Sequence, residues 1–142
     1  LDNGLAEHIE AAMLELIPDM LIKDFGWDEL MASNIWAFGP NKRGTNILLD
    51  YTIPSEIDQG RLNSVRDFVV QGFQWASKEG PLCEEPIKNV KFKILGGNFA
   101  NEPIYRGGSQ IIPTSRRVCY SSMLLATPRM MEPIYSGEVY CP

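Results

Sequence analysis

The sequence predicts an α+β fold, a two-layer α/β sandwich with helices on one face of a sheet. Apolar residues recur at three- and four-residue steps from Leu62 to Ala76, which is typical of an amphipathic helix. Apolar residues alternate with lysines over residues 90–95, which is typical of a half-buried strand. Glycine–proline pairs at 39–40 and 80–81 mark turns that separate such segments.

The amino-terminal residues predict short helices. Leu5, Ile9, Met13 and Leu16 would lie on one face of a helix over residues 5–16, and Pro18 would end or kink it. A further short helix is expected at 19–25, with Gly26 as its stop, and another turn at 28–33. The nearly continuous apolar run that follows, over 35–38, is closed by the turn at 39–40.

The central residues predict a strand, a long helix and a second strand. Residues 46–52 form the first strand, and the helix ends near residues 80–81. Gly72 lies inside the apolar stripe of this helix, where it costs about 1 kcal/mol relative to alanine. We expect the missing side chain to allow close packing against a neighbouring element. On the second strand, Lys91 and Lys93 would form a basic outer face.

The most informative segment is a long loop over residues 96–110 that precedes a helix. Gly107 and Gly108 allow a sharp turn and a close approach to the backbone. Pro113 suits the first turn of a helix over 113–127, with Thr114 and Ser115 as hydroxyl caps. Loops of this length are usually functional or disordered. A last strand-like run covers residues 134–140.

Contact residues are the functional candidates in this region. Tyr105 could stack on a base, and Gln110 lies on the same loop. Arg106, Arg116 and Arg117 could bind phosphate or carboxylate. The competing interpretation is that these arginines form ion pairs with acidic residues of the first half. The candidate residues for binding a partner or RNA are Tyr105, Arg106, Gly107, Gly108, Gln110, Arg116, Arg117, Lys91 and Lys93.

The charge distribution is uneven. Residues 1–85 carry six Lys/Arg and fifteen Asp/Glu, whereas residues 86–129 carry seven Lys/Arg and one Glu. The whole chain has a net charge of −5. A basic surface that attracts RNA or an acidic protein is one interpretation. The other is that the two parts interleave in space and their fields largely cancel.

Composition argues against metal, thiol and membrane functions. The three cysteines are far apart with no CxxC pair, and His8 is the single histidine, so we expect a reducing compartment and no metal. No apolar run approaches the roughly 20 residues that cross a bilayer, so no membrane association is expected. The start lacks a signal-peptide pattern. The absence of an initiating methionine suggests a piece of a longer protein, although processing would give the same start.

Enzymatic motifs are also missing. Neither GxxxxGK[ST] nor GxGxxG occurs, so nucleotide hydrolysis by this chain is not expected. Cys83-Glu84-Glu85 has no histidine nearby in sequence to activate the thiol, and it is interpreted as a solvated loop. With 142 residues the chain suits one domain of ordinary size.

Several sequence blocks carry a family resemblance. They are Ile35-Trp-Ala-Phe-Gly-Pro40, Gly44-Thr-Asn-Ile-Leu48, Val70-Gln-Gly-Phe-Gln-Trp75, Lys78-Glu-Gly-Pro-Leu-Cys-Glu84, Arg106-Gly-Gly-Ser-Gln-Ile-Ile-Pro-Thr114 and Thr127-Pro-Arg-Met-Met-Glu-Pro133. Together they resemble domain IV of the elongation factor 2 family over roughly residues 25–142. That family has a translational branch and a spliceosomal branch, the GTPase of the U5 small nuclear ribonucleoprotein.

Details of the amino-acid sequence favour the spliceosomal branch. Elongation factor 2 has a histidine, modified to diphthamide, immediately before the Arg-Gly-Gly of this loop, and this chain has Tyr105 there. Ser109 also departs from the usual glycine. Residues 36–38, 52–56, 89–94 and 126–128 resemble the spliceosomal branch more closely. The alternative is a domain IV that acts in ribosomal translocation.

The resemblance implies a fold like the second domain of ribosomal protein S-five, with a left-handed βαβ crossover. It implies a helical lead-in at residues 1–30, domain IV at 31–131 and the start of the next domain's first strand at 132–142. It implies a non-catalytic interaction domain, monomeric as a fragment, with no cofactor here and with GTP and Mg²⁺ bound elsewhere in the full-length protein. The expected location is the nucleus, and the expected partners are the large U5 scaffold protein and the U5 RNA helicase. A small nuclear RNA is a further candidate partner.

Overall fold

Helices and strands alternate around one small sheet. The computed structural model describes residues 4–5, 8–9 and 16–141 of the chain. Within those ranges the elements are α1 (Ile17–Lys23), α2 (Glu29–Ser33), β1 (Ile35–Gly39), β2 (Asn46–Asp50), α3 (Gln59–Lys78), β3 (Lys91–Ile94), a 3₁₀-helix (Pro103–Arg106) and α4 (Gly108–Leu125). The predicted α+β class is confirmed.

The sheet has three strands in the order β1-β2-β3. β1 and β2 are antiparallel, with an irregularity between Ile35 and Ala37. β2 and β3 are parallel, with Ile47 opposite Lys91 and Leu49 opposite Lys93. Helix α3 therefore lies in a crossover connection between two parallel neighbours. The left hand that the resemblance implies for this crossover stays a prediction.

Both faces of the sheet are covered because β2 is apolar on both sides. Side chains alternate between faces along a strand, so Ile47 and Leu49 point one way and Leu48 the other. Ile47 and Leu49 share a cluster with Leu5, Ile9, Ile17 and Leu21. Leu48 shares another cluster with residues of α3, α4 and β3, namely Phe73, Ala76, Cys119 and Phe92. The prediction of helices on one face therefore holds for α3 and α4, and the helical residues before β1 form an additional layer.

Helices α3 and α4 lie side by side and run in the same direction. Their contacts advance together along both helices, from Phe68 against Gly108 to Gly72 against Ser115. A Cβ added at Gly72 would lie 2.6 Å from both the Ile112 carbonyl oxygen and the Ser115 Cβ. The predicted close packing at Gly72 is confirmed.

The start of α4 differs from the prediction. The helix begins at Gly108, because the Gly107 carbonyl already accepts hydrogen bonds from the amides of Gln110 and Ile111, both at 3.0 Å. Pro113 consequently lies inside the helix, and Thr114 Oγ1 donates to the Gln110 carbonyl at 2.7 Å. The predicted helix start at Pro113 and the hydroxyl caps are therefore wrong.

The carboxyl-terminal residues also differ from the prediction. Residues 134–140 form no strand, and the side chains of Ile134, Tyr135, Val139 and Tyr140 are 86–93% exposed. A strand needs a partner for its backbone groups, and no described strand pairs with this segment. The proposed domain boundaries at residues 30/31 and 131/132 stay predictions.

The amino-terminal residues agree with the predicted helix at two of its apolar positions and differ at a third. Leu5 and Ile9 are helical and buried as expected, whereas Leu16 is exposed. Met13 lies outside the described residues. Gly26 has a φ of +64°, as expected for a residue that ends a helical segment. Over the described ranges, every helix is too short or too polar to span a bilayer.

Candidate functional site

Two loops meet at one end of the sheet. Because β2 and β3 are parallel, the segments that follow these two strands start at the same end of the sheet. Tyr51 N donates to the Ile94 carbonyl at 2.9 Å, and Arg61 Nη1 donates to Asn101 Oδ1 at 2.6 Å. We call residues 51–58 and 95–107 the tip. Helices α3 and α4 begin directly behind it.

The tip exposes large apolar and aromatic side chains. Ile104 is 76% exposed, Leu95 68% and Tyr105 57%, and Tyr51 and Ile53 are about half exposed at 50% and 52%. Exposed apolar groups that lie together commonly mark contact sites on proteins. Sequence reasoning missed Leu95, Ile53 and Ile104. The sequence offered one indication that their side chains are exposed. These apolar residues lie in segments that contain glycine and proline, and they are not part of a periodic apolar stripe.

Five predicted site residues lie together where the tip enters α4. Tyr105 and Arg106 belong to the 3₁₀-helix, and Tyr105 N donates to the Glu102 carbonyl at 3.2 Å. Gly107 precedes α4 with extended backbone at φ −71° and ψ 159°. At Gly108 an added Cβ would lie 3.1 Å from the Phe68 ring, so a small residue lets α4 approach α3. Gln110 is exposed in the first turn of α4.

Arg116 lies away from the tip and is used within the fold. Its guanidinium carbon is 4.0 Å from the Trp75 ring centroid, and Nε donates to the Tyr120 hydroxyl at 3.0 Å. Nη2 lies 3.5 Å from Glu79 Oε2. The Tyr120 hydroxyl in turn donates to the Glu79 carbonyl. This arrangement matches the competing interpretation for Arg116, an ion pair with the acidic first half.

Arg117 is exposed on the neighbouring side of α4. At about 1.5 Å per residue it lies roughly 13 Å along the helix from Gly108. A partner would have to cover both the tip and this face of α4 to contact Arg117 and Tyr105 together.

Lys91 and Lys93 are the third group of predicted site residues, and both lie on β3. Their ammonium groups lie 4.7 Å from the Trp27 ring centroid and 4.3 Å from the Tyr51 ring centroid. Burial, followed by the nearby charge of Lys93, lowers the pKa of Lys91. Phe92 points to the opposite face, into the cluster with α3 and α4. The basic outer face predicted for β3 is therefore partly covered by aromatic rings.

The residues that the structure describes contain no group of three or more His, Cys, Asp and Glu side chains that could hold a metal ion. Burial raises the pKa of the Cys119 thiol to about 12, which keeps it protonated and unreactive. His8 packs edge-on against Phe25, at 5.5 Å between ring centroids. Cys83 and Cys141 are exposed.

Fold and surface together define the class of protein: a mixed α/β domain that presents an apolar loop cluster at one end of its sheet. Residues 15–127 match the family model described as elongation factor G, domain IV, and the chain belongs to that family. The matched region is this one domain of the multidomain elongation factors.

Similar proteins include three splicing components. The chain is 53% identical to the 109 kDa U5 small nuclear ribonucleoprotein component GFL of Arabidopsis thaliana and 52% identical to the 110 kDa component CLO of the same plant. It is 49% identical to the pre-mRNA-splicing factor cwf10 of Schizosaccharomyces pombe. Each alignment covers 100% of this chain and 15% of the relative, so the chain spans about one seventh of these proteins.

Proposed function

We propose that this chain is the interaction domain of a spliceosomal GTPase that works in the nucleus during pre-mRNA splicing and spliceosome remodelling. Domain IV would transmit the nucleotide state of the GTP-binding domain to its partners by moving as a rigid body. GTP and Mg²⁺ would bind elsewhere in the full-length protein. The names of the similar proteins support the assignment to U5 small nuclear ribonucleoproteins, since two of them are U5 components and the third is a splicing factor.

The exposed apolar tip is the observation that supports a contact function. Ile104 and Leu95 lie in the loop between β3 and α4, and both side chains are more than two-thirds exposed, at 76% and 68%. Burying apolar area is the main source of affinity between proteins. Aromatic residues and arginine, here Tyr105 and Arg106, are the residue types that most often dominate binding energy at protein interfaces.

A protein partner fits the tip better than RNA does. RNA binding depends strongly on cations that neutralise phosphates. The tip contains one basic residue, Arg106, and three acidic residues, Glu56, Asp58 and Glu102, so its net charge is −2. The large U5 scaffold protein and the U5 RNA helicase are therefore the partners we propose first, with a small nuclear RNA after them. 

Replacing three neighbouring side chains of the tip tests this proposal in the full-length protein. The test variant combines Ile104→Ser, Tyr105→Ala and Arg106→Ala, and the control variant combines Leu82→Ser with Arg43→Ala, which are exposed elsewhere. We expect recovery of the scaffold protein or the helicase in U5 particles to fall about tenfold in the tip variant, a loss of about 1.4 kcal/mol. Unchanged recovery of both partners and of U5 RNA, with GTP binding intact, would reject the tip as the contact surface.

A further inference from the structure

Strand β3 has one edge that is paired with no other strand among the described residues. It is the last strand in the order β1-β2-β3, so only one of its sides is bonded within the described sheet. The Val90 carbonyl accepts from Ile47 N at 3.0 Å, and the Ile94 carbonyl accepts from Tyr51 N at 2.9 Å. Alternate residues of a strand turn their backbone groups to opposite sides. The amides and carbonyls of Lys91 and Lys93 therefore face away from β2.

A groove runs beside this edge. It has a volume of about 620 Å³, and its walls are β3 with the residues before it and the end of α4 with the segment after it. Clefts of roughly 300–1,000 Å³ are typical of binding sites. The groove is lined by four basic residues and, among the described residues that line it, by no Asp or Glu. The basic residues are Lys88, Lys91, Lys93 and Arg129.

The positive charge of the groove comes from its own lining residues and differs in sign from the net charge of the whole chain. The whole chain carries −5, yet the lining residues of this groove are all neutral or positive. Burial and the charge of Lys93 both disfavour the protonated form of Lys91, so a carboxylate placed between the two ammonium groups would stabilise it. An adjoining groove of about 660 Å³ includes Glu85 and Glu132, so the positive potential is strongest beside β3 itself.

We propose that the free edge of β3 binds an extended, acidic segment of a partner protein as an added strand. The backbone groups of Lys91 and Lys93 would pair with the segment, and alternate carboxylates of the segment would face the lysine side chains. This contact lies along the side of the sheet and does not depend on the function proposed for the tip. Charge complementarity selects the occupant, because an apolar or basic segment would leave four cations without counter-charges.

RNA and a second copy of the chain are less suitable occupants. Single-stranded RNA gains affinity by stacking bases on aromatic faces, but the Trp27 and Tyr51 rings already have lysine ammonium groups over them. The exposed segment 134–140 of a second copy contains one carboxylate, Glu138, to set against four cations. Both alternatives become outcomes of the test.

The first test measures peptide binding to the 142-residue chain. The probe is a fluorescent peptide with the repeating sequence Glu-Val-Asp-Val, and the controls are a Lys-Val-Lys-Val peptide and a peptide with the same composition but with its carboxylates grouped at one end. We expect binding of the alternating acidic peptide only, with amide NMR shifts and slower hydrogen exchange at Lys91 and Lys93. Equal binding of the grouped peptide, absence of binding, or shifts centred elsewhere would overturn the proposal.

The second test separates backbone pairing from charge. Lys93→Ala and Lys93→Pro remove the same charge, but only proline also removes the amide that faces the free edge, a position where a sheet tolerates proline. We expect Lys93→Pro to bind at least about tenfold more weakly than Lys93→Ala, which corresponds to about 1.4 kcal/mol. Hydrogen exchange of the Ile47 and Tyr51 amides, which donate to the Val90 and Ile94 carbonyls, shows whether the two variants are equally well folded.

Charge reversal and competition complete the design. Lys91→Glu with Lys93→Glu should abolish binding, whereas Lys42→Glu with Lys78→Glu, both exposed outside the groove, should not. If Lys93→Pro binds as well as Lys93→Ala, pairing through the edge is ruled out. An oligouridine that displaces the peptide from Lys91 and Lys93 at lower concentration would replace the proposal with an RNA site. Concentration-dependent dimerisation that the peptide cannot disrupt would replace it with self-association.

Discussion

The guanidinium carbon of Arg116 lies 4.0 Å from the centroid of the Trp75 ring, which joins the middle of α4 to the end of α3. The contact is reinforced by the Glu79 carboxylate, 3.5 Å from Nη2, and by the Tyr120 hydroxyl, 3.0 Å from Nε. Trp75 and Glu79 are one helical turn apart at the end of α3. Arg116, which the sequence also offers as a surface group, therefore helps to hold α4 against the end of α3.

Arg116→Ala should lower the free energy of unfolding by about 1–2 kcal/mol, because it removes a stacked cation and a hydrogen bond to Tyr120. The ion pair adds little, since the Glu79 side chain is 44% exposed. Arg117→Ala is the matched control, and at an exposed position it should change stability by less than about 0.5 kcal/mol. Urea unfolding followed by tryptophan fluorescence measures both. Equal effects of the two substitutions would contradict the structural role of Arg116.

Gly72→Ala should destabilise the protein although alanine favours helices. The added Cβ would meet the Ile112 carbonyl and the Ser115 Cβ at 2.6 Å, and separating α3 from α4 costs about 1–3 kcal/mol. The higher helix propensity of alanine offsets about 1 kcal/mol of this cost. We therefore expect the free energy of unfolding to fall by up to about 2 kcal/mol. Gln71→Ala, at the exposed neighbouring position, should be close to neutral. A thermal midpoint for Gly72→Ala at or above that of the unchanged protein would contradict the close packing.

Local patterns predicted the helices and strands well where one face of an element is buried. The α3 stripe and the alternation in β3 both match the structure, because their periods follow directly from helix and strand geometry. The start of α4 was predicted at Pro113 and not at Gly108. The preference of proline for the first turn of a helix was given more weight than the glycines at 107–108. The strand predicted at 134–140 does not form in the described residues, because pairing depends on a distant partner, which no local pattern specifies.

The sequence predicted which residues are candidates for the site but not how these residues are grouped in space. The nine predicted contact residues are three arginines, two glycines, two lysines, a tyrosine and a glutamine, and the structure divides them among the tip, α4 and β3. Sequence spacing could not show that Arg116 meets Trp75, because that contact joins two helices separated by β3 and a loop. The exposed side chains of Leu95 and Ile104 could be found only once the loops were placed.

Thiol labelling should distinguish the three cysteines. Cys83 and Cys141 are exposed, whereas Cys119 is buried with its pKa raised to about 12. At pH 8 only about one in 10⁴ Cys119 thiols would be ionised, and the thiolate is the reactive form. We expect iodoacetamide to label Cys83 and Cys141 on the folded chain and Cys119 only in denaturant, as measured by mass spectrometry of peptides. Equal labelling of Cys119 on the folded chain would contradict its burial.

Asn46→Asp should be the most damaging conservative substitution in the sheet. The Asn46 side chain is fully buried, and its Nδ2 donates to the carbonyls of Gly39 and Ile87 at 3.0 and 2.6 Å. Its Oδ1 accepts from Val90 N at 3.1 Å. An aspartate would place a carboxylate oxygen against two carbonyl oxygens, so we expect a loss of about 3 kcal/mol or more in the free energy of unfolding at pH 7.

The pH dependence of this variant provides an independent check. Burial and the two facing carbonyls would raise the pKa of the new carboxyl above its unfolded value of about 3.9. The unfolded state then ionises first, so the deficit in stability relative to the unchanged protein grows as the pH rises above about 4. Asn63→Asp, exposed on α3, is the control and should show no such trend. Urea unfolding at pH 4.5 and pH 7 measures the difference, and a deficit that is equal at both values would contradict the buried amide as the link between β1, β2 and β3.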